Sequence, residues 1–485
     1  MLSARIGNAL ASYGDRIVVE AAGDRWRLTG EQLLGGAAWL LKTLEPYSDR
    51  PLIAYLHKSP LYYAFTACSF LNSLNFCPVD IDNPIQRVLD IAAELPNSLI
   101  LCDNDEVFAL LRKHTEHCLE IGLSFDDLKH GPANEQESRG SQDASYYIAT
   151  SGSTGSPKLV QVPHAHTVPF LDWAIPFYEI DDSTRWAQFS SIGFDLSLVD
   201  FLTVVCGGGT LVSLSTQMDR IRPAKTVLWN RITHWHSVPS MIPYFLREPG
   251  EQNVTSTCRL FTFCGEPFMK TDADKLAGQY PNARIINTYG PTETTLFCSF
   301  FEYRRGDPEV TESSLPIGKP IPSWNFVLLP EDDALKLIIL SDNVATGYAG
   351  LRSLKFTTVN LFGREVRAFD TGDYLKMAGP NLYFSHRKDM IVKINGNRID
   401  LGEIEAAGKR SGLVNPVAMV IKNAITLVAE GAGGGIPEIM NDLSRYLPHA
   451  SLPTTIQFVR AHPRTINGKV DRRAIHEALG HGSGS

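Results

Sequence analysis

Between residues 51 and 102 the chain alternates short apolar runs with helix-like stretches, and this restricts its fold more than any other feature. Pro51-Leu-Ile-Ala-Tyr55, Phe76-Cys-Pro-Val79 and Leu99-Ile-Leu-Cys102 have the length and composition of buried strands, and the stretches 61–74 and 84–95 between them have helical length. Strand, helix, strand, helix, strand is the grammar of a parallel sheet with helices on its faces. A second alternation covers roughly 157–300, and 344–373 reads as short strands and turns. After Asp373 the periodicity restarts, with a helix beginning inside Arg398-Ile-Asp-Leu-Gly-Glu-Ile-Glu405 and alternating runs at Val417-Ala-Met-Val-Ile421 and Ile425-Thr-Leu-Val-Ala429. The expected fold class is α/β. A large N-terminal domain of mixed and parallel sheets flanked by helices takes residues 1–386, and a small α+β C-terminal domain takes 387–479. Residues 129–143, rich in Gly, Glu, Ser and Gln, read as a flexible crossing, and 480–485 as a tag or linker remnant.

A chain of 485 residues exceeds one ordinary core, and 44% apolar residues are enough to fill two or more. The net charge of −8, without a basic block or Lys/Arg stripe, argues against a nucleic-acid partner. The N-terminus reads as an amphipathic helix and not as a secretory signal, and no run approaches the roughly 18 apolar residues of a membrane span. A cytosolic protein with no membrane insertion is expected. The cysteines at 68, 77, 102, 118, 206, 258, 264 and 298 form no C-x-x-C pair and read as reduced, mostly buried thiols. His234 and His236 form the one tight histidine pair. On a strand they would share a face, but no third ligand is near, so packing is favoured over metal ligation.

The segment Tyr147-Ile-Ala-Thr-Ser-Gly-Ser-Thr-Gly-Ser-Pro-Lys158 empties a strand-like run into small hydroxyl residues and glycines that end in a lysine. Gly152 and Gly155 let backbone N–H groups approach an anion, Thr150, Ser151, Ser153 and Thr154 add hydroxyl donors, and Lys158 adds charge. The G-x-x-x-x-G-K-[ST] spacing of a P-loop is absent. By itself such a run would more often be a solvated linker, so the motifs downstream decide its reading. Downstream follow Phe263-Cys-Gly-Glu266, Asn287-Thr-Tyr-Gly-Pro-Thr-Glu-Thr294, Phe369-Asp-Thr-Gly-Asp373, Arg387-Lys-Asp389 with Lys393-Ile-Asn-Gly396, and Arg464-Thr-Ile-Asn-Gly-Lys469.

In this order the motifs resemble the adenylate-forming ligase superfamily, from Leu28-Thr29 through Cys77-Pro-Val-Asp80 to the terminal lysine motif. Within it the chain is most similar to amino-acid adenylation domains, and Phe263–Glu266 followed by Asn287–Glu293 resembles the stand-alone D-alanine–carrier-protein ligases. The resemblance implies ATP-dependent activation of an amino-acid carboxylate as aminoacyl-AMP, then transfer to the phosphopantetheine thiol of a carrier protein. It implies ATP and Mg2+, with Glu293 as the metal partner and Thr154 facing the pyrophosphate. The rest of the ATP site would be Thr150, Ser151, Gly152, Ser153, Gly155, Lys158, Tyr289 as the adenine-stacking ring, Asp373 accepting the ribose hydroxyls, and Arg387 at the ribose or phosphate. Lys469 would stabilise charge developing during adenylation, and Asp389 would be the hinge of a mobile C-terminal domain that brings 393–396 over the adenylate. Two departures stand out: His386 replaces the family's glycine before the arginine, and the usual Gly-Glu pair is missing around Lys336-Leu337. Taken as structure alone, Tyr289-Gly-Pro-Thr would be a turn with Thr292 or Thr294 capping a helix, and Thr-Gly-Asp373 another turn.

By the same resemblance Asp195 in Phe194-Asp-Leu-Ser-Leu-Val-Asp200 would bind the substrate ammonium, a role that rejects plain fatty and aryl acids. The other pocket positions are Leu196, Val199, Met241, Thr262, Cys264, Thr288, Leu296 and Phe297. They are nearly all apolar and none is charged. A small neutral amino acid is expected, D-alanine first, with L-alanine, glycine or serine as rivals. The alternatives are an acyl- or aryl-CoA ligase, an adenylation domain excised from a nonribosomal peptide synthetase, and a regulatory protein on a degenerate ligase fold. Asp195 argues against the first. The joint presence of Lys158, Glu293, Asp373 and Lys469 argues against the last. No carrier motif follows Lys469, so the acceptor thiol is expected on another polypeptide, or the chain is an excised domain.

Overall fold

The computed structural model describes residues 1–122, 128, 144–150, 157–247, 257–331, 333–387, 390–431, 435–464 and 470–480. By spatial contacts the chain divides into a unit of Met1–Asp80, Leu95–Ala149 and Leu159–Lys388, and a second of Ile81–Glu94, Thr150–Lys158 and Asp389–Ser485.

Among the described residues, the first unit is built on a nine-stranded, a seven-stranded and a five-stranded sheet. In the seven-stranded sheet Leu52–Leu56 lies between Phe76–Asp80 and Leu99–Cys102, parallel to both. All five of its residues are buried, which is why this run is continuously apolar: a parallel strand is covered on both faces. The helices expected over 61–74 and 84–95 span Pro60–Leu71, in this unit, and Ile85–Glu94, which belongs to the second. Pro60 starts the first of them because its missing N–H is not needed at a helix N-terminus.

The nine-stranded sheet carries six parallel strands in the order Arg284–Tyr289, Leu260–Cys264, His234–Ser237, Arg185–Gln188, Thr210–Ser213, Ile17–Ala21. Packed on it is the helix Asp195–Gly207, buried along nearly its whole length and ended by Gly208, whose φ of 94° is the left-handed stop that glycine accepts without strain. The five-stranded sheet is antiparallel. Of the short strands and turns expected over 344–373, Gly347–Tyr348 and Phe356–Leu361 are present, but from Arg364 the chain runs on as one 15-residue strand, Arg364–Ala378. Its register shifts beside Tyr374, next to the Thr-Gly-Asp motif, so the motif kinks a continuing strand instead of ending it. Residues Thr292–Thr294 form a single 3-10 turn with no side-chain cap, in place of the threonine-capped helix of the purely structural reading.

The second unit contains the hairpin Ile391–Ile394 with Asn397–Asp400, the helix Leu401–Arg410, and a sheet of Val414–Ile421, Ala424–Glu430 and Thr455–Val459. Asp400 caps the helix by accepting from the Gly402 N–H at 2.8 Å. Within this unit Arg87 and Glu403 form a buried ion pair at 2.5 Å. All eight cysteines are free thiols, seven of them buried. Among the described residues no helix is long and apolar enough to cross a membrane.

Candidate active site

The expected site residues of the first unit cluster at one end of the parallel strands of the nine-stranded sheet and on the helix beside it. Thr262 and Cys264 alternate along one strand, so they share a face, and Cys264 lies opposite Thr288 on the next strand. All three are buried. Asp195 opens the helix Asp195–Gly207 and is 7% exposed, where the positive end of the helix dipole favours its carboxylate. Val199, one turn on, is buried, and Leu196 packs against the same core. Phe297 is sealed, edge-on to Phe170 with ring centroids 4.8 Å apart. Met241 ends a 3-10 turn, half-buried.

The backbone that delivers Leu296 and Phe297 is unusual. Thr295 and Leu296 take φ of 65° and 68°, a left-handed pair without glycine that costs of order 1–3 kcal/mol per residue and is found where function fixes the chain. Gly290 has no room for a side chain: a Cβ there would lie 2.4 Å from the Phe297 Cα. The Gly in Tyr289-Gly-Pro thus permits the close approach of two backbone segments that both carry expected site residues.

Tyr289, Asp373 and Arg387 form one buried group. The Tyr289 hydroxyl donates to Oδ2 of Asp373, Arg387 donates to Oδ1, and a second guanidinium nitrogen reaches the Thr371 carbonyl at 2.9 Å. Asp373 and Arg387 are direct cross-strand partners. Burial first, then the neighbouring Asp373 charge, pushes the Tyr289 phenol well above its ordinary range, so it acts as a donor. Each carboxylate oxygen of Asp373 keeps a further lone pair for an incoming hydroxyl.

Glu293 is fully buried on the 3-10 turn, and its Oε1 accepts from the Tyr348 hydroxyl at 2.8 Å. A single sequestered carboxylate suits a magnesium ion that takes its other ligands from phosphates and water. Among the described residues there is no cluster of three or more His, Cys, Asp or Glu side chains that would hold a metal unaided. The expected residues Ser151, Gly152, Ser153, Thr154, Gly155, Asp389 and Lys469 lie outside the described residues. Of the remaining loop residues, Thr150 donates its hydroxyl to the Lys158 carbonyl at 3.1 Å.

One further residue, favoured by the sequence only for packing, lies next to the expected site residues. His236 sits directly opposite Thr262 in the sheet, on the same face, and its ring centroid is 6.5 Å from that of Phe297. Its Nδ1 donates to Oδ1 of Asp200 at 2.6 Å, and that oxygen also accepts from Trp186 Nε1 at 2.9 Å. The Nε2 of His236 and the hydroxyl of Thr262 are buried without a hydrogen-bond partner. His234, on the same face, is instead used in the core: Nε2 meets the Tyr178 carbonyl at 2.9 Å. The His-x-His alternation already placed both rings on one face of a strand. The partner Asp200, 36 positions earlier on a helix, carried no local signal.

The chain matches the model of a family described as AMP-binding enzyme over residues 10–348. It is 30% identical over 476 residues to a protein of Listeria monocytogenes serotype 4b named D-alanine–D-alanyl carrier protein ligase, covering 91% of each chain. It is 28% identical over 467 residues to a protein of the same name from Staphylococcus haemolyticus, covering 93% of this chain and 94% of that one. Among solved structures, the Vibrio cholerae adenylation domain AlmE, in complex with glycyl-adenosine-5'-phosphate, superposes with a TM-score of 0.81 at 17% identity, over 99% of this chain and 97% of that one. An artificially fused adenylation-PCP di-domain, NpsA-ThdA from Klebsiella oxytoca, superposes with a TM-score of 0.79 at 18% identity, over 94% and 93%. At these identities the structures share a fold with this chain, and the sequence matches identify its relatives. The chain belongs to the AMP-binding enzyme family and is an adenylating ligase.

Proposed function

We propose that the protein uses ATP to activate a small neutral amino acid as its aminoacyl adenylate and passes the aminoacyl group to the phosphopantetheine thiol of a carrier protein. The observation that carries this reading is the buried Asp195 at a helix N-terminus, with the other expected contact positions Val199, Thr262, Cys264, Thr288 and Phe297 buried and uncharged. A buried carboxylate calls for a cation, and an amino acid brings one in its ammonium group. The names of the relatives from Listeria and Staphylococcus favour D-alanine, and L-alanine, glycine and serine fit the same size class.

In the first step a carboxylate oxygen of the amino acid attacks the α-phosphorus of ATP, the bond to the β-phosphate breaks, and pyrophosphate leaves. Asp195 fixes the ammonium end so that the carboxylate is presented in one orientation. The Tyr289 ring offers a flat face to adenine, and Asp373, held by Tyr289 and Arg387, accepts from the ribose hydroxyls. Glu293 would hold magnesium, which when bound offsets phosphate charge. The loop 150–158, with Thr150, Thr154 and Lys158, would cradle the departing phosphates, and Lys469 would meet the charge developing between carboxylate and α-phosphate. In the second step the carrier thiolate attacks the acyl carbon and AMP leaves. In this reading 1–386 is the core and 387–479 a domain turning about Asp389. Pyrophosphate exchange with both enantiomers of small amino acids, and with fatty and aryl acids, tests the proposal. Exchange dependent on an unsubstituted acid instead of an amino acid would replace it with an acyl- or aryl-CoA ligase.

A further inference from the structure

Lys58 lies two residues beyond the strand Leu52–Leu56, and its ammonium donates to the backbone carbonyls of Gln188 at 2.7 Å and Ser190 at 2.9 Å. Gln188 ends the strand Arg185–Gln188, and Ser190 belongs to the connection that runs from it into the helix begun by Asp195. A second tie holds the same connection: the Ser191 hydroxyl donates to Oδ2 of Asp80 at 2.5 Å, and Asp80 ends the strand Phe76–Asp80. Ile192, between these ties and Asp195, is fully buried. The connection is therefore fixed by polar groups from the ends of two strands of another sheet, and it stops at the residue that is to meet the substrate.

We propose that Lys58 is a positioning residue for the amino-acid site: by holding the Gln188 and Ser190 carbonyls it fixes the connection that sets Asp195. This rests on the reading of Asp195 as the ammonium partner. Lysine suits the task, since its three donors on one point charge serve two carbonyls at once. Burial first, then the nearby Arg220 charge, lowers Lys58 to about 7, against the opposing pull of Asp200, Asp80 and Asp219. Below that pH the ties are charge-assisted, and above it they are neutral and about half as strong. Amino-acid binding therefore weakens as the pH rises through about 7.

The test is pyrophosphate exchange by the full chain, with KM measured separately for amino acid and ATP. Lys58→Met is expected to raise the amino-acid KM about tenfold and leave the ATP KM within about twofold. Lys58→Arg, which keeps the donors and stays charged, restores the amino-acid KM to within about threefold and flattens its rise across pH 7. Should Lys58→Met not fold, Ser191→Ala loosens the same connection and is expected to raise the amino-acid KM alone. Equal rises in both KM values, or none in either, overturn the proposal. Asp195→Asn run in parallel separates the two levels. If it leaves the amino-acid KM unchanged, the reading of Asp195 fails and the role of Lys58 with it. If it raises that KM while Lys58→Met does not, the role of Lys58 alone fails.

Discussion

His236 donates through Nδ1 to Asp200 at 2.6 Å, with both side chains essentially sealed from solvent. One carboxylate oxygen thereby holds a strand histidine and the Trp186 indole to the same helix that Asp195 opens. Removing the acid strands two buried donors, so Asp200→Ala is expected to cost about 3–5 kcal/mol, read from urea unfolding. His236→Ala removes one partner and the ring behind Phe297. Its unfolding loss should be smaller, and its amino-acid KM should move while its ATP KM does not.

Acid should destabilise the protein well before its carboxylates protonate. Burial lowers His164 to about 3 and His234 to about 4, both from 6.5. A histidine held neutral in the fold but free to protonate when unfolded contributes stability that is complete above about pH 6.5 and is lost as the pH falls toward the folded value. Neither ring nitrogen of His164 has a hydrogen-bond partner, and its ring lies among Phe70, Phe76 and Tyr146. His164→Phe should therefore flatten the fall in melting temperature between pH 7 and pH 5, with little change at pH 7.5.

The fold was legible where one periodicity governed a segment. Leu99–Cys102 appears as a strand with the limits read from the sequence, because four apolar residues between turn formers leave few alternatives. The strand Arg364–Ala378 was not legible, since Thr-Gly-Asp is a turn signal locally and only pairing with neighbours on both sides carries the strand through it. Of the site, the residues inside ordered motifs could be named one by one. The groups that support them could not. Tyr348 behind Glu293, Asp200 behind His236 and Lys58 behind Gln188 are 55, 36 and 130 positions away from the residues they hold.

Glu293 and Tyr348 allow the metal to be separated from the hydrogen bond. Glu293→Gln keeps an oxygen for the tyrosine but removes the charge, and adenylation should fall about a hundredfold, close to 3 kcal/mol, with a steeper demand for magnesium. Tyr348→Phe removes one donor to a buried carboxylate and should cost about 1–3 kcal/mol of stability with a smaller loss of rate. A Glu293→Gln enzyme with unaltered magnesium dependence would take Glu293 out of the metal site.

Lys469→Ala should abolish adenylate formation while ATP binding, followed by equilibrium titration, stays largely intact. A charge that acts on the transition state is felt in kcat far more than in ground-state affinity. Unchanged pyrophosphate exchange would remove Lys469 from the mechanism.

Size selection should be read at Cys264 before Phe297. Phe297 is locked edge-on against Phe170 and also meets Trp173 at 6.0 Å, so Phe297→Ala would open a cavity at a cost of about 3–5 kcal/mol and confuse selectivity with unfolding. Cys264 is smaller, is 4% exposed, and shares its face with Thr262 and, across the sheet, Thr288. Cys264→Ala removes one sulfur from that wall and should admit slightly larger side chains at a modest cost in stability. With carboxylate and ammonium fixed, inverting Cα swings Cβ toward a different wall, so the same change should narrow the ratio between enantiomers if Cys264 forms the wall that one of them meets. One methylene in an apolar pocket is worth about 1–3 kcal/mol, so the expected shift in kcat/KM between alanine and the next larger homologue is roughly tenfold or more. Efficient activation of phenylalanine or tryptophan by the unaltered protein would refute the small pocket, whereas a strong preference for L-alanine would refute only the D-alanine assignment.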